Sequence, residues 1–122
     1  MIERELLEEE AERRVENAGR ILSQFQKEFA EKPGYTLEWS APTAFEKAAE
    51  LQVWKTILEK RGTYRTDVTS QEVVEHFSKR ALSAILNRAT WPVRSASPTA
   101  TLWEECVSQA WASVYKTINE EF

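Results

Sequence analysis

One stretch decides the helical fold of this chain: 69-TSQEVVEHFSKRALSAILNRATWP-92. It opens on the pattern of a capping box, in which the Thr69 hydroxyl and the Glu72 carboxylate each accept the other residue's backbone amide. It closes on Pro92, which has no amide hydrogen and disfavours helix at the residue before it. The stretch therefore predicts a helix from Ser70 to Thr90.

At 100° per residue, this predicted helix has an apolar side and a polar side. The apolar side holds Val73, Val74, Phe77, Ala81, Ala84, Ile85 and Ala89. The polar side holds Glu72, His76, Lys79, Arg80, Ser83, Asn87 and Thr90. Arg88 falls nearer the apolar side, so its long side chain must extend outward from the last turn. We expect the apolar side to face a core and the polar side to face solvent.

The same stretch lies in a segment without carboxylates, because no Asp or Glu occurs between Glu75 and Glu104. The net charge is −5 over residues 1–51, +4 over residues 52–94 and −3 over residues 95–122. Cations beside Ser, Thr and Asn are typical of a surface that contacts phosphates. The alternative is an ordinary solvated face whose cations favour the helix dipole. We predict phosphate contacts from Lys79, Arg80, Arg88 and Arg94, extended by Lys55, Arg61 and Arg65.

Three further helices are predicted from apolar spacing and end signals. The first covers residues 2–31, where apolar side chains recur every three or four positions. The second covers residues 43–61, after a loop over residues 35–42, because a second capping box opens at Thr43. The fourth covers residues 99–120, after Ser97 and a proline. Four helices with short loops predict an all-α fold, a single-domain helical bundle over the whole chain.

Aromatic and apolar residues outside the expected core are candidates for protein contact. Trp54, Trp103 and Trp111 have core spacing, whereas Trp39 and Trp91 fall in predicted loops. A loop tryptophan can contact a partner, stack on a base or cover the end of a bundle. The narrow apolar stripe of the first helix also favours packing on a neighbouring chain. The candidate protein-interface residues are Leu22, Phe25, Trp39 and Trp91.

The sequence holds no catalytic or metal-binding signature. Cys106 is the only cysteine and His76 the only histidine, and they are distant in sequence, so neither a zinc cluster nor a nucleophile pair is predicted. Three glycines leave no phosphate-binding loop. We predict a non-enzymatic protein without cofactor or metal. The N-terminus lacks an apolar leader and no run is long enough for a membrane span, so we expect a cytoplasmic location.

A short, motif-poor helical bundle with the basic stretch Lys79–Arg94 resembles the small subunit of CRISPR effector complexes of the Cascade type. The resemblance covers the whole chain and rests on size, helical pattern and that stretch. It implies a subunit of an antiviral nucleoprotein assembly that stacks head-to-tail and touches the guide–target duplex and the displaced strand. Its partners would be RNA or DNA and protein subunits, including copies of itself. The alternative is a protein-only adaptor or regulator, encoded by host or phage, that acts through its long first helix.

Overall fold

The computed structural model describes residues 2–60, 63–90 and 97–119, with the backbone alone for residues 88–90. This part of the chain forms four α-helices and no strand, so the predicted all-α single-domain bundle is confirmed. No helix among the described residues is long and apolar enough to cross a membrane. The helices are α1 (Arg4–Glu31), α2 (Pro33–Glu59), α3 (Ser70–Thr90) and α4 (Pro98–Asn119).

Helix α3 has the predicted bounds and begins with the predicted capping box. The Glu72 amide donates to the Thr69 hydroxyl oxygen at 3.2 Å, and the Thr69 amide donates to the Glu72 carboxylate at 2.8 Å. These bonds satisfy two of the amides that a helix start leaves without helical acceptors. The apolar side of α3 is buried as expected, with side chains in the core from Val73, Val74, Phe77 and Ala81. The side chains of Ala89 and Thr90 lie outside the described residues.

Helix α4 begins at Pro98, one residue earlier than predicted, and is described as far as Asn119. The Ala100 amide donates to the Ser97 hydroxyl oxygen at 3.3 Å, which is an N-cap bond. Its buried side includes Cys106, Ala110, Trp111, Val114 and Ile118. The predicted end at Glu120 lies outside the described residues.

The predicted loop over residues 35–42 is wrong, and so is the predicted helix start at Thr43. Helix α2 already begins at Pro33 and continues through Pro42, so that only Lys32 separates it from α1. Proline suits the first position of a helix, where its missing amide has no helical acceptor anyway. Thr36 is only 1% exposed, so the first turn of α2 is already packed. Packing against α1 therefore outweighs the helix-breaking tendency of Pro42.

The core occupies one end of the bundle, which we call the base. There the starts of α1 and α3 meet the ends of α2 and α4, and the Ile2 amide donates to the Ile118 carbonyl at 3.0 Å. The hydrophobic core contains Ile2, Leu7, Ala11, Val53, Trp54, Ile57, Val73, Val74, Phe77, Ala81, Ala110, Trp111, Val114 and Ile118. All four helices contribute, so the base is the stable part of the fold.

Arg14 fixes α1 against α2. Its guanidinium donates to Glu10 at 2.8 Å and to Glu50 of α2 at 3.2 Å, and it lies 5.2 Å from the ring centroid of Trp54. Lys47 extends the network by contacting Glu50 at 3.1 Å. Because Arg14 faces Glu50 and a single residue joins the two helices, α1 and α2 form one antiparallel hairpin.

Replacing Trp111 with Ala should lower the free energy of unfolding by about 3–5 kcal/mol, because it opens a cavity in the core. Trp111 is only 7% exposed. The Glu9→Ala variant is the surface control and should stay within about 0.5 kcal/mol of the wild type. Urea unfolding followed by circular dichroism measures both values, and equal effects would place Trp111 outside the core.

Replacing Pro42 with Ala should raise the free energy of unfolding by about 1–3 kcal/mol. The change restores the amide that donates to the Glu38 carbonyl and removes the clash of the proline ring. Pro33→Ala is the matched control and should not stabilise, since an amide at the first helical position gains no helical acceptor. If Pro42→Ala were no more stable than the wild type in urea unfolding, α2 would not be continuous in solution.

Candidate interaction surfaces

The predicted basic face is only partly free in the structure. Lys79 is exposed on α3 and forms no ion pair with the described residues. Arg80, its neighbour, places its guanidinium 4.9 Å from the ring centroid of Trp111 on α4. This cation–π contact stabilises the packing of α3 on α4. Arg80 therefore has a structural role that the helical wheel could not show.

Two of the predicted extensions of the basic face, Lys55 and Arg65, lie within the described structure. Arg65 makes a bidentate pair with Asp67, with nitrogen–oxygen distances of 3.0 and 2.7 Å. The carboxylate accepts two of the hydrogen bonds that this guanidinium can donate. Lys55 is exposed on α2. The remaining predicted residues, Arg61, Arg94, Trp91 and the side chain of Arg88, lie outside the described residues.

The outer face of α3 also carries two exposed leucines that the sequence prediction missed. Leu82 is 40% exposed and Leu86 is 52% exposed. They lie one turn apart and within about 60° of Lys79 on the wheel. The sequence alone could have predicted their exposure, because the helical wheel places both leucines on the polar side of α3. Lys79 is thus next to apolar surface.

Among the described residues, the largest exposed aromatic surface lies at the other end of the bundle from the base. We call residues 20–42, which contain the end of α1 and the start of α2, the hairpin tip. Its exposed apolar residues are Phe29 (40%), Tyr35 (64%), Leu37 (53%) and Trp39 (67%). Phe25 is half-buried and stacks on Phe29 with ring centroids 6.3 Å apart, and Tyr35 and Trp39 have centroids 6.4 Å apart.

In α1, the tip aromatics continue the stripe that is buried at the base. Phe25 follows Leu7 by 18 positions, and Phe29 follows Ala11 by the same interval. Eighteen residues make five turns of an α-helix, so each pair points in the same direction. Leu7 and Ala11 are at most 1% exposed, whereas Phe29 is 40% exposed. The apolar stripe therefore extends beyond the core that covers it.

In α2, the same relation holds in the opposite direction along the chain. Tyr35 precedes Val53 by 18 positions, and Trp39 precedes Ile57 by 18 positions. Val53 and Ile57 are at most 2% exposed in the core, while the two aromatics are more than 60% exposed. Both helices of the hairpin tip thus present aromatic side chains on the side that is buried in the core at the base.

The structure describes three of the four predicted interface residues. Leu22 and Phe25 are half-buried in α1, on the stripe that runs into the hairpin tip. Trp39 lies in helix α2 rather than in a loop, and it is the most exposed large hydrophobic residue of the described chain. Trp91 lies outside the described residues. The interface role of the four residues stays a prediction, and Tyr35 and Phe29 join the candidates.

The remaining reactive groups do not meet in the described structure. Cys106 is 5% exposed, and burial, with Glu46 and Glu105 nearby, raises the pKa of its thiol, which disfavours the nucleophilic thiolate. His76 is exposed and contacts the ring of Tyr64 edge-on, with centroids 6.0 Å apart. Among the residues described, no three His, Cys, Asp or Glu side chains form a metal site.

Comparisons of this chain with protein-family models, with curated proteins and with solved structures find no match. The resemblance to the small subunits of CRISPR effector complexes therefore stays a prediction.

The contact between Arg80 and Trp111 should give a coupling energy of about 0.5–1 kcal/mol in a double-mutant cycle of Arg80→Ala and Trp111→Leu. Urea unfolding of the four proteins supplies the energies. The matched cycle with Lys79→Ala should give a coupling near zero, because Lys79 does not contact Trp111. Equal coupling in the two cycles would mean that Arg80 does not rest on the ring in solution.

Proposed function

We propose that this chain is a non-enzymatic protein-binding subunit, an adaptor or regulator that docks on a protein through its hairpin tip. One observation carries the proposal. The aromatic side chains of the tip lie on the core-facing stripes of α1 and α2, yet Tyr35 and Trp39 are 64% and 67% exposed. A stripe that is buried at one end of a hairpin and exposed at the other has the pattern of a surface that a partner covers.

The chemistry of the tip fits protein recognition. Tyr and Trp are enriched among the residues that contribute most to protein–protein binding, because they bury large area at low cost in conformational entropy. Exposed aromatic surface of this kind is unfavourable in water, and a partner would remove it. The stacked rings of Phe25 and Phe29 add apolar surface beside the two exposed aromatics. The tip is therefore a more specific surface than Lys79 on α3.

A second candidate function is a subunit of a nucleoprotein assembly, as in the CRISPR small subunits that the sequence resembles. The acid-free segment between Glu75 and Glu104 favours it, and exposed Lys79 lies within this segment. Arg80 and Arg65 contribute less to such a surface, because Trp111 and Asp67 engage their guanidinium groups. The described cations therefore offer few free phosphate contacts.

The double variant Tyr35→Ala/Trp39→Ala separates the two candidates. Isolated from the cells that encode it, the wild-type chain should co-purify with a protein, a second copy of itself included, and the double variant should bind that protein at least about 30-fold more weakly. Such a loss corresponds to one central aromatic residue of an interface. Lys79→Ala should leave this affinity unchanged. Circular dichroism of both variants checks that the fold is retained.

Titration with nucleic acid at two or more salt concentrations gives the opposite test. If phosphate contacts carried the function, Lys79→Ala would reduce the slope of log K against log salt by roughly 0.7–0.9, and the tip variant would bind normally. We expect no binding that depends on Lys79. If the salt slope depended on Lys79 and the tip variant lost no protein binding, the adaptor proposal would be wrong and the nucleoprotein subunit would take its place.

A further inference from the structure

We propose that the partner of the hairpin tip is the tip of a second copy of this chain, so that two tips form a four-helix contact. This inference rests on the proposed function, because it assumes that the tip is a docking surface. Three features of the tip favour a second copy over another occupant: the register of its aromatics, its charge and its area.

The register makes the tip a surface shared by two helices. Arg14 contacts Glu50 across the hairpin, and each step along α1 is matched by one step back along α2. Phe29 therefore lies at the height of Tyr35, and Phe25 at the height of Trp39. Two aromatic layers therefore cross both helices, at three and at seven residues from Lys32 on either side. At the base, the same two stripes are buried in a core to which α3 and α4 also contribute.

A second tip is a helix pair that carries the same stripe. In a two-fold contact, each aromatic layer meets a layer of the partner, and the contact is self-complementary because both copies use one patch. Helix pairs that bury apolar stripes in this way form four-helix bundles. The tip-to-tip contact thus repeats between two chains the packing that the base makes within one chain.

The charge of the tip permits this contact. Residues 20–42 contain three basic side chains (Arg20, Lys27 and Lys32) and three acidic ones (Glu28, Glu31 and Glu38), so their net charge is zero. The whole chain carries −4. Two copies therefore carry like net charge, and the neutral tip adds nothing to the repulsion between them. A neutral tip also offers no electrostatic attraction to nucleic acid or to a strongly charged protein.

The area is adequate for a weak to moderate dimer. Phe29, Tyr35 and Trp39 are 40%, 64% and 67% exposed. With roughly 150–250 Å² for each aromatic side chain, they leave about 260–430 Å² of aromatic surface per chain. A standard interface buries about 800 Å² per partner, around an apolar centre with a polar rim. The three aromatics would supply a third to a half of that area at its centre.

Sedimentation equilibrium of the full chain over a range of concentrations tests the proposal. The wild type should be a dimer in reversible equilibrium with monomer, and Trp39→Glu should be monomeric, because it places two carboxylates in the apolar centre. Leu82→Glu is the matched control. Leu82 is as exposed as Phe29, at 40%, but it lies on α3, so this variant should dimerise like the wild type.

Raising the salt concentration should leave the dimer intact, because the contact is apolar and the remaining repulsion is screened. The proposal would be overturned if the dimer dissociated at high salt. It would also be overturned if Leu82→Glu were monomeric while Trp39→Glu still dimerised, because the interface would then not include the tip. A wild type that stays monomeric at the highest concentration would also overturn it. The adaptor function would still hold if Tyr35→Ala/Trp39→Ala abolished binding to a different protein. The two proposals can therefore fail separately.

Discussion

The contact of Arg14 with Glu10, Glu50 and Trp54 is the constraint on which the rest of the hairpin depends. Glu10 is 8% exposed, and a buried carboxylate is costly unless charged donors surround it. Arg14 and Arg13 supply those donors from the same helix. Arg14 also contacts Glu50, so one side chain both helps to neutralise Glu10 and aligns α2 on α1. A shift of α2 by one turn would separate this set of charges, so the register of the whole hairpin follows from it.

Sequence reasoning succeeded where local chemistry decides the structure. The Thr69 and Glu72 side chains lie next to the amides that they bind, and Ser97 lies next to its own, so helix starts could be read from neighbouring residues. It failed at Pro42, because local propensity argues for a break and only packing of α2 on α1 keeps the helix continuous. The error extended to Trp39, which the broken helix would have placed in a loop.

The candidate site was harder to predict than the fold, for a physical reason. A helical wheel shows which side a residue faces but not what another helix brings to that side. Arg80 was correctly placed on the polar side of α3, yet Trp111 of α4 engages its guanidinium. The exposed tip depends on the relative lengths of the helices in space. The sequence showed the stripe of Phe25 and Phe29, but it did not show that no other helix of the described chain would bury this end of the stripe.

The hydrogen bond between Ile2 and Ile118 has a mechanical consequence. The bond holds these two positions together at the base. A force that pulled them apart would therefore act on the base and separate α1 from α4 starting at that end. Helix α1 spans 28 residues, which is about 42 Å of helix, so the tip lies far from the point of loading. Tension would therefore open the core before it reached the turn at Lys32. Any attachment made near residues 2 or 118 would likewise hold the bundle by its base and leave the aromatic end facing away.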